Sequence, residues 1–226
     1  MTRLLAFAAV VLLLATGAAT AVPLVPTSYD MFNGNGQASG GSFNYWDKNY
    51  TGMGATTVDN ARLWGGLGDL TDGVIPTLNW FAVENAAGTG PYVGWRGSRL
   101  PRPTVTFRFG SSVVLDSLRV YVDDSNGAGG VTVPLQVGIG VEGGPYTYFN
   151  LVDVPASEPV DYLVPGLGLT GTAFDVQFVH RTDWLFVSEV TFDGRSSAPA
   201  VPEPGSMILL GTGLVGLGRA WRKRRG

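Results

Sequence analysis

Few residues in this 226-residue chain have the types and spacing that catalysis needs. His180 is the only histidine and cysteine is absent. A histidine-based triad has one residue to draw on, thiol catalysis and thiolate zinc sites are excluded, and a metal centre would have to be built from carboxylates. His180 ends an alternating apolar segment, where a satisfied structural role is expected. Asp123 and Asp124 precede Ser-Asn-Gly. Adjacent carboxylates on such a turn are expected to be solvated, and a glycosidase pair needs a defined separation of roughly 5 to 9 Å. Gly65-Gly66-Leu67-Gly68 lacks the Lys-Ser/Thr and the following helix of a phosphate loop, and reads as a turn. With no converging nucleophile, acid and base, the chain does not read as an enzyme.

What remains are groups suited to binding. Trp46, Trp64, Trp80, Trp95 and Trp184, with Tyr45, Tyr50 and Tyr92, could furnish an aromatic platform for a sugar ring, or fill the core and plug loops. Trp95 beside Arg96 and Arg99 is the predicted ligand-facing patch, one aromatic face with two cations. Asp72-Gly73 taken alone is a common turn. A net charge of −3 and a pI near 5.1 exclude a nucleic-acid partner, whose phosphates need a basic face.

The two ends of the chain carry addresses. Arg3, the apolar stretch Leu4 to Ala15 and the small residues Ala19-Thr20-Ala21 predict a signal peptide over residues 1–21, cleaved before Val22. At the other end Pro202-Glu203-Pro204 is followed by an apolar run from Met207 to Gly218 and the basic cluster Arg222, Lys223, Arg224, Arg225. The prolines hold an extended, accessible segment, the apolar run partitions into lipid, and the basic cluster stays cytoplasmic. This predicts a linker over 196–204 and a transmembrane tail over 205–226. Pro204 to Trp221 would span about 27 Å as helix, against a hydrocarbon core of about 30 Å. An ordinary membrane anchor on a proline-rich stalk would share part of this pattern. The full three-part order resembles the PEP-CTERM sorting signal, with its motif on Pro202, Glu203 and Pro204. That resemblance implies export, transient anchoring in the membrane through the C-terminal helix, and processing by an exosortase near the Pro-Glu-Pro segment. The destination is then the cell surface or extracellular space, where exopolysaccharide is assembled.

Residues 22–195 must hold any site, and their pattern is that of strands. Val105, Phe107 and Phe109 alternate with Thr104, Thr106 and Arg108; Leu118, Val120 and Val122 do the same. Further strands are predicted at Leu135 to Val141, Tyr146 to Val152, Phe174 to Phe178 and Leu185 to Phe192, separated by Gly/Asp/Asn turns. Tyr29 to Leu70 reads as long wrapping loops with a short strand or two. The 33 glycines and 14 prolines, with no helical period between strands, predict an all-β two-sheet sandwich.

Leu70-Thr71-Asp72-Gly73, Thr77, Trp80, Gly94-Trp95, Phe109-Gly110 and Ser188-Glu189-Val190-Thr191-Phe192-Asp193-Gly194 together resemble the discoidin or coagulation-factor type C domain, a galactose-binding-like jelly roll. The likeness runs from about Leu67 to Gly194. It implies one structural calcium ion held by Asp72, Thr77 and Glu189 with backbone carbonyls, and a non-catalytic surface or matrix protein that binds carbohydrate or exopolysaccharide. A purely structural surface protein with no small ligand is the alternative.

Overall fold

A computed structural model describes residues 21–36, 41–155 and 157–197. The predicted signal peptide, the Pro202-Glu203-Pro204 motif, the apolar tail and its basic cluster lie outside the described residues. Nine strands follow in order: β1 Val22–Leu24, β2 Ser28–Phe32, β3 Arg62–Gly66, β4 Val93–Arg96, β5 Thr104–Val122, β6 Gln136–Val141, β7 Thr147–Asn150, β8 Val160–Val179 and β9 Trp184–Ser196. The only α-helix among the described residues is the single turn α1, Trp80–Val83.

The alternating apolar residues decide the architecture. The first half of β5 pairs with β2 and with the end of β8, which in turn pairs with β6; β3 and β7 extend that layer. The second half of β5 pairs with the start of β8 and with β9, whose far edge takes β1 and β4. β5 and β8 thus run through both layers. Their pairing breaks register between Arg108 and Val113 and again between Leu115 and Ser117. Irregularities of this kind bend a strand and let it change sheets.

The inward residues of both layers interdigitate. The Phe107 ring lies 4.8 Å from that of Phe192, and Phe109 meets Phe174 edge-on at 5.8 Å. Phe107, Phe174, Val176, Phe178, Leu118 and Val120 are all fully buried. Each such side chain contributes roughly 1.5–3 kcal/mol of burial. The predicted strands are present, with Phe107 and Leu118 on one long strand rather than two. β2 and β3 are the short strands expected among the wrapping loops.

Candidate functional site

A second, smaller apolar cluster lies under the loops at one end of the sandwich. Tyr45, Trp80, Tyr92, Val131 and Phe186 form it, with Phe43, Val83 and Trp184 packed against its edge. Tyr45 and Phe186 touch at 4.4 Å, and Trp184 meets Tyr45 edge-on at 5.2 Å. This cluster fixes one wall of a surface cleft of about 440 Å³ lined by Trp46, Trp184, Arg96, Arg99, Asn35 and Asp59.

The polar groups of that cleft are held from behind. Asp59 Oδ1 accepts from the Trp46 indole at 2.8 Å and from the Gly36 N–H at 2.6 Å, while its Oδ2 pairs with Arg99 at 3.2 Å. Arg96 pairs with Asp183 at 2.8 Å and lies over the Trp184 ring. Asn35 Oδ1 accepts the Arg96 backbone N–H at 2.8 Å, and its buried Nδ2 has no acceptor. Two half-buried indoles and two guanidinium groups suit the apolar face and ring hydroxyls of a sugar.

Trp95 does not belong to this surface. It is 0% exposed, its indole donates to the Phe32 carbonyl at 2.8 Å, and its ring stacks on Phe178. Successive strand residues point to opposite faces, so placing Arg96 outward on β4 turns Trp95 into the core. The predicted patch therefore keeps Arg96 and Arg99 and takes its aromatic walls from Trp46 and Trp184.

The loop after Leu70 brings Asp72 and Glu189 to one turn. Gly73, at φ +80, adopts a left-handed conformation that suits glycine, and its N–H donates to Glu189 Oε2 at 3.0 Å. Asp72 Oδ1 accepts from Val74 at 2.8 Å. Thr77 lines a cleft with Asp72, Asn49 and Asp69. Glu189 itself is 4% exposed, and burial, with the Asp72 charge adding, pushes its carboxyl up to about 7. Asp69 is buried too; Asn49 donates to its Oδ1 at 3.0 Å and its Oδ2 has no partner. Behind it Asp47 accepts from the Tyr29 hydroxyl and from the Asp69 N–H. Burial raises both carboxyls, and the Asp47 charge adds to the rise at Asp69. Among the described residues no three Asp, Glu or His side chains form a metal centre on their own. A hard cation here would draw much of its shell from backbone carbonyls. The unpartnered Asp69 oxygen fits such an ion.

Several acidic groups are buried where local sequence suggests solvated turns. Asp123 and Asp124 are fully buried; Asp123 Oδ2 accepts from Ser125 at 2.7 Å and from the Trp80 N–H. The expectation of a solvated pair is therefore corrected, because the α1 turn and the loop-end cluster cover it. His180 is half-buried and contacts the Leu100 carbonyl through Nε2 at 3.2 Å.

The sequence profile of the discoidin domain-containing receptor 1/2 DS-like domain matches residues 26–194. The chain belongs to this family. A second profile, the PEP-CTERM protein-sorting motif, matches residues 200–225, directly after the DS-like domain. The chain is thus an exported protein with a sorting motif at its C-terminal end. Among solved structures, the DS-like domain is similar to an F5/8 type C domain from Bacteroides fragilis (12% identity, TM-score 0.33, covering 46% of this chain and 72% of that one). It is also similar to CpGH89CBM32-6 from Clostridium perfringens (15% identity, TM-score 0.31, 44% and 75%). The family 32 CBM from C. perfringens NanJ in complex with galactose is a further likeness (7% identity, TM-score 0.31, 45% and 75%). No sequence among curated proteins matches.

Proposed function

We propose that this is an exported, non-catalytic carbohydrate-binding protein whose DS-like domain takes a sugar in the cleft between Trp46, Trp184 and Arg99. The observation that carries this reading is the pair of half-buried indoles, Trp46 and Trp184, lining one cleft with Arg96 and Arg99. Aromatic faces pack on the apolar face of a sugar ring while the guanidinium groups meet its hydroxyls. A glycan array probed with the exported protein tests the reading. Reproducible binding to a family of related glycans is the expected result; a blank array would favour a purely structural surface protein.

The sorting tail supplies the destination. Pro202-Glu203-Pro204 is the segment an exosortase would cut, after the apolar run has held the chain transiently in the membrane and Arg222 to Arg225 have fixed its orientation. The protein then rests at the cell surface or outside it, near its polysaccharide. Intact-mass measurement of the mature species should show that residues 1–21 and the region after about Pro204 are missing. A mature species that keeps Arg222 to Arg225 would leave only a simple anchor.

Asp72, Thr77 and Glu189 are the side chains that would hold a structural calcium ion, with Asp69 beside them. The ion would supply positive charge where buried carboxylates now lack it and tie the 70–77 loop to β9. Binding adds about 2.7 kcal/mol at a hundredfold excess over Kd. Calcium should therefore raise the melting temperature by roughly 5–10 °C and chelator should reverse the gain. Asp72→Ala should abolish the response, whereas Asp161→Ala, an exposed member of an ion pair with Arg119, should preserve it. Identical melting curves with calcium and with chelator would remove calcium from the account.

A further inference from the structure

The turn that carries Arg99 into the first cleft places Leu100 in a second one. This cleft, about 300 Å³, lies on the outer face of the β3–β2–β5–β8 layer and is lined by Phe32, Arg62, Leu100, Arg102, Thr104 and Asp175 among others. Phe32 and Arg62 are directly opposed across β2 and β3, so their side chains share a face. Phe32 is 48% exposed and stands out from that face.

The charges around it are unevenly spent. Arg96, Arg99, Arg108, Arg119, Arg181 and Arg195 each have a carboxylate partner. Among the described residues the two arginines without one, Arg62 and Arg102, both line this cleft. Arg102 only lies over the Tyr148 ring, with its Nη1 3.5 Å from that hydroxyl. The cleft's own carboxylates are occupied. Asp30 accepts from the Gly65 N–H and from Arg108, and Asp175 from Thr106 at 2.6 Å, the Gly143 N–H and Tyr146.

We infer that this second cleft binds the carboxylate of an acidic sugar, a uronate residue of a polysaccharide. Guanidinium groups match a planar carboxylate with paired hydrogen bonds, and Phe32 offers an apolar surface for the sugar ring. Thr104 supplies a hydroxyl for the ring oxygens. Because the two clefts flank the Arg96 to Leu100 turn, one chain can cross it, with a residue in each. The inference rests on the carbohydrate-binding reading and narrows it to acidic polysaccharides.

The test uses the exported protein, a trigalacturonate, its carboxyl-reduced neutral counterpart and a sulfated oligosaccharide of matched length, each measured by titration calorimetry. Wild type should bind the uronate at least about tenfold more tightly than the neutral form. Arg62→Gln and Arg102→Gln should each remove most of that preference while the melting temperature stays unchanged, since both side chains project from the surface. Trp46→Ala should weaken the uronate and neutral ligands together and keep their ratio. Unchanged uronate affinity in both arginine variants would overturn the inference and leave the first cleft standing. Tighter binding of the sulfated ligand through the same arginines would overturn the carboxylate assignment. If none of the three binds while the glycan array shows other ligands, the uronate inference fails and the carbohydrate reading stands; a blank array as well sinks both.

Discussion

Trp46→Ala should weaken glycan binding by roughly thirtyfold or more, an effect of about 2 kcal/mol, as expected for a central aromatic contact. The indole is held in place by Asp59, which also bonds Arg99 and the Gly36 N–H, so the substitution removes a wall of the cleft and loosens its polar groups as well. Trp46→Phe should recover part of the affinity, since it keeps an apolar ring but leaves Asp59 without the indole donor. Trp64→Ala separates this from a general role for exposed aromatics. Trp64 is 43% exposed on β3 and lines neither cleft, so its removal should leave affinity within about twofold. Surface titrations of wild type and the three variants against one array-selected oligosaccharide provide the comparison.

The second large effect is on stability and comes from Glu84. Its Oε1 accepts the Tyr92 N–H at 2.8 Å, its Oε2 is buried without a partner, and Gly90 packs so closely that a Cβ there would stand 2.3 Å from the carboxyl. Burial pushes this carboxyl up from its ordinary 4.5 to about 8, offset by the Tyr92 hydrogen bond and raised further by the charges of Asp69 and Asp123. The folded protein therefore keeps the Glu84 proton up to about pH 8, whereas the unfolded chain releases it near 4.5. Between those values the folded state binds more protons, so stability is greatest at the acid end and falls as pH rises. Each displaced unit is worth about 1.4 kcal/mol. Glu84 alone should lower the melting temperature by about 10 °C between pH 5 and pH 8. Glu84→Gln keeps the acceptor for Tyr92 and removes the charge, so it should remove that share of the slope, most visibly between pH 7 and pH 8. Asp69 and Glu189, each raised to about 7 by burial, and Asp47 and Asp123, each raised to about 6, add further shares with the same sign below neutrality. An unchanged fall between pH 7 and pH 8 in Glu84→Gln would place its origin elsewhere.

Strand alternation made the sandwich legible: β5, β8 and β9 alternate over enough residues for the period of two to stand out. β4 is four residues long with a glycine in it, and its register is fixed by pairing with β9 rather than by its own pattern. That is why Trp95 reads as a surface neighbour of Arg96 although it lies in the core. The sorting tail was legible because its order is linear and needs no folding. The buried acids were not. Asp47, Asp69, Glu84 and Asp123 sit in Gly- and Asn-rich stretches that read as open loops, and their burial comes from segments far away in sequence. Tyr29 reaches Asp47 across 18 positions, and Asp123 bonds the backbone of Trp80 across 43. The candidate cleft is hidden in the same way, since Asn35, Trp46, Asp59, Arg99 and Trp184 meet only once the loops pack on the Tyr45 cluster.

If sugar binds in the loop-end cleft and not on another aromatic surface, Trp46 and Trp184 are the indoles it meets. The indole N–H region of a nitrogen-15 spectrum reads this directly, because each tryptophan reports its own environment. Adding the oligosaccharide that binds best on the array should shift the Trp46 and Trp184 resonances and leave Trp64 in place. Shifts confined to Trp64, or no indole movement at saturation, would contradict the account.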